Sequence, residues 1–256
     1  MSRSFAGPHE LGQNFLVDTR VVRDLVALVP RGAERVVELG AGAGAITAAL
    51  VDAGHRVTAV ELDPRRAAAL RRRFGDRVDV VRGDLLRFEE PDGHDLVSNV
   101  PFGITTPLLR HLLGQRTWGT AVLLVQWEVA RKRAALGSTT MLTASWWPWY
   151  TFGLAGRVPA RAFRPMPSVD GGVLVIERRP EPLVPPGERA AYQAMVRRVF
   201  TGRGAGVGAI LRGMLPGRVV ARWLDAHRIA AGTLPGRLTA EQWAALHRAA
   251  LHRTSS

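Results

Sequence analysis

Short apolar runs and stretches of helical periodicity alternate along the first 180 residues. Runs rich in Val, Leu, Ile and aromatic residues at 36–39, 56–60, 78–81, 95–98, 120–126, 149–154 and 172–178 predict strands. Between most of them apolar residues recur every three or four positions, which predicts helices at 18–28, 45–53, 64–74, 105–116 and 127–135. Strands joined by helix-length crossovers pair in parallel, so the pattern predicts an open, mostly parallel α/β sheet covered by helices. The alternation stops at PEPLVPPG (180–187), where four prolines and a glycine break any regular element. Only helical patterns follow. The chain is therefore expected to form a sheet domain over 1–180 and a small all-helical domain over 187–256, with 180–187 as linker.

Composition narrows the function classes. A 46% hydrophobic content with seven tryptophans supports a sizeable core and excludes general disorder. The absence of cysteine excludes disulfides, thiolate zinc sites and a cysteine nucleophile. The seven histidines are scattered without ligand spacing, so no metal is expected. No apolar stretch follows the N-terminal arginine and no run approaches the roughly 18 residues of a membrane helix. The expectation is a cytoplasmic, monomeric protein with no membrane partner.

The formal net charge is +13. Basic residues are 34 arginines and one lysine, Lys132, which in an Ala- and Gly-rich chain reflects a GC-rich coding bias. The number of arginines therefore says little, but the net charge points to a polyanion such as nucleic acid. It is also uneven: residues 1–95 hold 14 basic and 15 acidic side chains, and residues 96–256 hold 21 basic and 7 acidic. The two parts are expected to meet different ligands.

Candidate chemistry sits at the ends of the predicted strands. VVELGAGAGAIT (36–47) reads as strand, glycine turn and helix start, with Gly40, Gly42 and Gly44 in a G-x-G-x-G spacing. Position 45 is alanine, so the dinucleotide G-x-G-x-x-G fingerprint is not met, and the pattern suits a nucleoside ligand. The second strand ends at Glu61, whose two oxygens suit the two hydroxyls of a ribose. The third is followed by Asp84, suited to accept from an adenine amino group. Asp63 before Pro64 reads as a helix N-cap. No G-x-x-x-x-G-K-[ST] motif is present, so ATP is disfavoured and S-adenosylmethionine fits better. The fourth strand ends in Asn99-Val100-Pro101-Phe102, similar to the signature of methyltransferases that act on exocyclic amines. Such a nitrogen is a poor nucleophile. Asn99 and a main-chain carbonyl would accept its hydrogens, Pro101 would stiffen the turn and Phe102 would stack the extruded base.

With LGQNFLVD (11–18) ahead of ELGAGAG, VELD, GDLL and NVPF, the chain resembles the rRNA adenine N6-methyltransferases. These comprise the Erm resistance methylases and the KsgA-type small-subunit dimethylases. FRPMPSVDGGVLVIERR (163–179) and VFTGRGAGVGAILRG (199–213) extend the resemblance, the latter towards actinobacterial Erm proteins. It implies a Rossmann-like class I S-adenosylmethionine-dependent sheet and methylation of N6 of an adenine in 23S rRNA, with macrolide, lincosamide and streptogramin B resistance. A KsgA-type enzyme acting on 16S rRNA and a non-catalytic RNA-binding derivative are the alternatives. The resemblance further implies a donor pocket of Gln13, Asn14, Leu16, Gly40, Gly42, Glu61, Asp84 and Asn99, with Asn99, Pro101 and Phe102 holding the target adenine.

For RNA contact the candidates are Arg131, Lys132 and Arg133 after the fifth strand, and Arg161, Phe163 and Arg164 in the loop before the last strand. Arg197, Arg198, Arg203 and Arg212 of the helical part are further candidates. The aromatic run Trp146, Trp147, Trp149, Tyr150 and Phe152 is expected to pack beneath the sheet rather than stack bases.

Overall fold

A computed structural model describes residues 14–32, 35–89, 93–115 and 117–251. The strands are β1 (Phe15–Leu16), β2 (Val36–Leu39), β3 (Val57–Glu61), β4 (Val78–Arg82), β5 (His94–Asn99), β6 (Trp118–Gln126), β7 (Tyr150–Val158), β8 (Phe163–Arg164) and β9 (Gly171–Arg178). The helices of the first part are α1 (Thr19–Ala27), α2 (Ala45–Asp52), α3 (Pro64–Phe74), α4 (Thr105–Gly114), α5 (Trp127–Arg133) and α6 (Met141–Trp146). Beyond the proline-rich segment lie α7 (Arg189–Thr201), α8 (Val207–Arg212), α9 (Gly217–Ala226) and α10 (Ala240–Leu251).

Seven strands form one sheet in the order β4-β3-β2-β5-β6-β9-β7. β4, β3, β2, β5 and β6 run parallel, and β9 pairs antiparallel with β6. Burial explains the apolar pattern. Every residue of β2 and β3 is buried, so these central strands read as near-continuous apolar runs. Edge strand β4 instead alternates, with Val78 and Val80 buried and Asp79 exposed. The chain runs outward from β2 to β3 and β4, then returns to the other side of β2 as β5. That reversal opens a crevice at the carboxyl ends of β2 and β5, where open α/β sheets bind ligands.

Local signals set the helix starts. The Asp63 carboxylate accepts from the N–H groups of Arg65 (2.7 Å) and Arg66 (3.3 Å), and Pro64 opens α3, as the sequence predicts. Asp18 caps α1 in the same way, accepting from Arg20 N at 2.9 Å. A separate two-stranded sheet pairs β1 with β8, setting Phe15 opposite Arg164 and Leu16 opposite Phe163.

The chain divides into two compact units. One holds the residues up to Arg131 together with Gly153–Glu177; the other holds Lys132–Phe152 together with the residues from Arg178 on. Residues 132–152 thus group with the helices, although they precede the 180–187 segment. In that unit part of the aromatic run surrounds Tyr192 of α7 rather than lying beneath the sheet. Trp149 meets Tyr192 edge-on at 5.5 Å, and Trp146 meets Trp149 and Tyr150 at 6.2 and 6.0 Å. The Tyr192 hydroxyl donates to the Ala144 carbonyl at 2.8 Å, and burial pushes its pKa up. The reason is size: α6 has six residues, too few to bury its aromatic neighbours without α7.

Candidate functional site

The turn between β2 and α2 is built from glycines with positive φ, +77° at Gly40, +55° at Gly42 and +79° at Gly44. Close packing also demands them. A Cβ on Gly44 would stand 2.7 Å from Leu70 Cδ2, and one on Gly42 would stand 3.3 Å from the Phe15 ring. The loop is thus pressed between α3 and the residues of β1.

Glu61 fixes this loop from the end of β3. Its Oε2 accepts from Gly42 N at 2.7 Å and its Oε1 from Asp63 N at 2.9 Å. Each carboxylate oxygen can accept a second bond. Gly83 N donates to the Glu61 carbonyl at 3.1 Å, which holds the end of β4 beside it, and Asp84 Oδ1 accepts from Leu86 N at 2.9 Å.

At the end of β5, Asn99 Nδ2 donates to the Asn14 carbonyl at 2.8 Å. Its amide oxygen is thereby the group left to act as acceptor. Val100 N donates to the Leu124 carbonyl at 2.9 Å, and Pro101 carries the chain into a tight turn over Phe102–Ile104. The Phe102 ring stands edge-on to Phe163, centroids 6.4 Å apart at 71°.

These groups line one open-mouthed cavity: Asn14, Leu16, Gly40, Gly42, Glu61, Asp84, Asn99, Pro101 and Phe102. Gln13 lies outside the described residues. Phe15, Glu38 and Arg66 are among the lining residues that the sequence does not single out. Glu38 is buried within β2, and burial pushes its carboxyl up to about 8. The Thr47 hydroxyl, hydrogen-bonded to Glu38 Oε2, opposes that shift, and the charge of Glu61 adds to it. One acid inside the apolar run VVEL was its signal. With Glu38 held neutral, the charged groups of the lining are two carboxylates, Glu61 and Asp84, against one guanidinium, Arg66. Such walls suit a cationic nucleoside and oppose a polyphosphate. S-adenosylmethionine, with an adenosine and a sulfonium, fits this donor set.

The RNA candidates are not among those lining residues. Arg161 and Arg164 are exposed, and Arg164 Nη1 donates to the carbonyls of Phe163 (2.8 Å) and Arg161 (3.1 Å). Phe163 differs from expectation. It is fully buried, so its ring supports Phe102 from behind rather than meeting RNA. Arg131 pairs with Glu128 at 3.2 Å and Lys132 is exposed. Arg133 is half-buried and donates to Thr140 Oγ1 at 2.7 Å, so its guanidinium serves the start of α6. Arg197, Arg198, Arg203 and Arg212 are all exposed. Asp170 had drawn no attention, yet it clasps the 159–170 loop, accepting from Ala160 N (2.8 Å) and Arg157 Nε (2.8 Å). Those bonds hold its pKa below the usual carboxylate range.

Residues 5–250 match the family model for the ribosomal RNA adenine dimethylases. The chain belongs to that family. Mycinamicin-resistance protein MyrB of Micromonospora griseorubida is 59% identical over 244 residues, covering 94% of this chain and 78% of that protein. An rRNA adenine N-6-methyltransferase of Corynebacterium diphtheriae is 47% identical over 214 residues, 83% of this chain and 85% of its own. The crystal structure of the 23S rRNA methyltransferase ErmE superposes with a TM-score of 0.85 at 33% identity, covering 92% of this chain and 99% of that one. The sheet is that of class I S-adenosylmethionine-dependent methyltransferases, followed by C-terminal helices. Family and fold together make the chain an rRNA adenine methyltransferase.

Proposed function

We propose that the protein methylates N6 of one adenine in 23S rRNA, using S-adenosylmethionine, and thereby confers macrolide, lincosamide and streptogramin B resistance. The observation that carries this reading is the Asn99 amide. Its nitrogen is bound to the Asn14 carbonyl at 2.8 Å, so its oxygen remains to accept an N6 hydrogen in the cavity shared with the glycine loop, Glu61 and Asp84. Sequence identity to the mycinamicin-resistance protein and structural likeness to ErmE support the choice of 23S rRNA and the resistance.

Glu61 would hold the ribose hydroxyls and Asp84 the adenine amino group. Asn14, Leu16, Gly40 and Gly42, with Gln13, would complete the donor pocket. When bound, S-adenosylmethionine supplies an electrophilic methyl group. Asn99 accepts one N6–H and a main-chain carbonyl of the turn accepts the other, which favours a pyramidal nitrogen with an available lone pair. Phe102 stacks the extruded adenine, Phe163 steadies that ring, and Pro101 restricts the turn. Arg131, Lys132, Arg161 and Arg164 would meet phosphates, with Arg133 and Phe163 holding the local structure. The protein would act as a monomer in the cytoplasm, where rRNA is found.

Primer extension on 23S and 16S rRNA from cells expressing the protein tests this. A new stop in 23S rRNA, with raised tolerance of a macrolide, is expected. A stop in 16S rRNA alone, or in neither, would overturn the proposal.

A further inference from the structure

The first 95 residues are almost neutral in sum, yet α3 carries five arginines and no acid in PRRAAALRRRF. At about 100° per residue, Ala67, Leu70 and Phe74 form its buried stripe. Arg65, Arg66, Ala69, Arg72 and Arg73 fall together within about 120° of the adjoining face. Arg71 lies off this arc, and its Nη2 donates to the Val80 carbonyl at 2.8 Å. Of the neighbouring acids, Asp63 caps the helix with its charge beside Arg65 and Arg66, Asp76 follows the break at Gly75, and Asp79 lies out on edge strand β4.

Ala69 stands in the middle of the arc, where its side chain ends at Cβ. A shallow pit lies there, lined by Ala69, Leu70, Arg66 and Arg73. Both guanidiniums are held in place. That of Arg66 lies 4.7 Å from the centre of the Phe15 ring, and Arg73 Nη1 donates to the Ala43 carbonyl at 2.9 Å. Arg65 and Arg72 are exposed beside them. The pit adjoins the cofactor cavity, sharing Phe15, Gly42, Ala43 and Arg66 with it.

Two cations over an apolar floor call for a ligand that is anionic on one side and flat and apolar on another. A nucleotide has both properties. We propose that the α3 face binds a nucleotide of the RNA substrate outside the target adenine. Arg66 and Arg73 take its phosphate, Ala69 and Leu70 meet its sugar or base, and Arg65 and Arg72 take adjoining phosphates. This site rests on the RNA-methylating function proposed above and adds a contact surface on the near-neutral part of the chain.

The test uses the full chain and a 23S rRNA hairpin containing the target adenine. R65Q/R72Q is expected to lose about tenfold in affinity at 150 mM KCl, with a salt slope shallower by about 1.5. A69L, which fills the pit without altering charge, is expected to lose several-fold with the slope unchanged. Neither variant should change S-adenosylmethionine affinity by calorimetry. R20Q/R23Q on α1 removes the same charge and should bind the hairpin within about twofold of wild type. Wild-type affinity in both α3 variants, or an equal loss in the α1 control, overturns the α3 site while leaving the proposed function standing. Failure of the wild-type protein to bind or methylate the hairpin removes both.

Discussion

Asn99 divides one side-chain amide between structure and chemistry. Its nitrogen is used on the Asn14 carbonyl, which fixes the orientation of the oxygen. Asn99→Ala should therefore abolish methyl transfer while S-adenosylmethionine affinity, measured by calorimetry, stays within a few-fold; normal turnover would refute the assigned role. Glu38 shows the opposite economy, a carboxyl kept neutral by its surroundings. Its folded pKa of about 8 exceeds the ordinary 4.5, so the folded state retains a proton that the unfolded chain releases. Stability from this group is full below pH 4.5 and declines as pH rises towards 8. Glu38→Gln mimics the protonated form and removes that decline. In urea unfolding at pH 8.5 the variant should exceed wild type by on the order of a few kcal/mol, with a much smaller gap near pH 5. The sequence shows that an acid interrupts the β2 run, but not that Thr47 and Glu61 surround it.

At the scale of elements, the glycine turn is determined by what presses on it. Gly44 combines φ +79° with a Cβ position 2.7 Å from Leu70 and 3.0 Å from Phe74. Gly44→Ala should cost about 1–3 kcal/mol from backbone conformation and crowding, read as a fall of several degrees in Tm. Most strands and helices were legible because hydrophobic period and element type agree: β2 reads VVEL and is buried throughout, and α3 begins at the predicted Asp63 cap. What could not be read were contacts between distant segments. Phe163 is an aromatic between two arginines in sequence, which resembles an RNA contact. Its pairing with β1 and its edge-on contact with Phe102 put it inside instead. The group formed by 132–152 and α7 was hidden for the same reason, since it depends on Tyr192 lying against Trp149.

Over the whole molecule, charge is sorted twice. The sequence already shows the sorting between 1–95 and 96–256. The fold adds a second sorting within the first part, with acids turned into the cofactor cavity and arginines gathered on α3. A sum over residues 1–95 cannot reveal it, because the total takes no account of where each charge sits. If about six phosphates are contacted in all, RNA affinity should fall on the order of 10³-fold between 50 and 200 mM salt. A flat response in a filter-binding titration would show that the positive surface does not carry the RNA. The donor motifs were legible because each is local to one strand end, whereas the α3 surface depends on three-dimensional neighbours that are far apart in the chain.

The two-residue ladder between β1 and β8 has a consequence in time. Phe15 is synthesised well before its partner Arg164, which follows about 150 residues later. The Asn14 carbonyl that orients Asn99 is adjacent to that ladder. During translation Asn14 and Phe15 wait for about 150 further residues before their place beside Asn99 is secured. The acceptor site is thus completed late, and a nascent chain whose β8 has not yet emerged lacks the clasp beside Asn99.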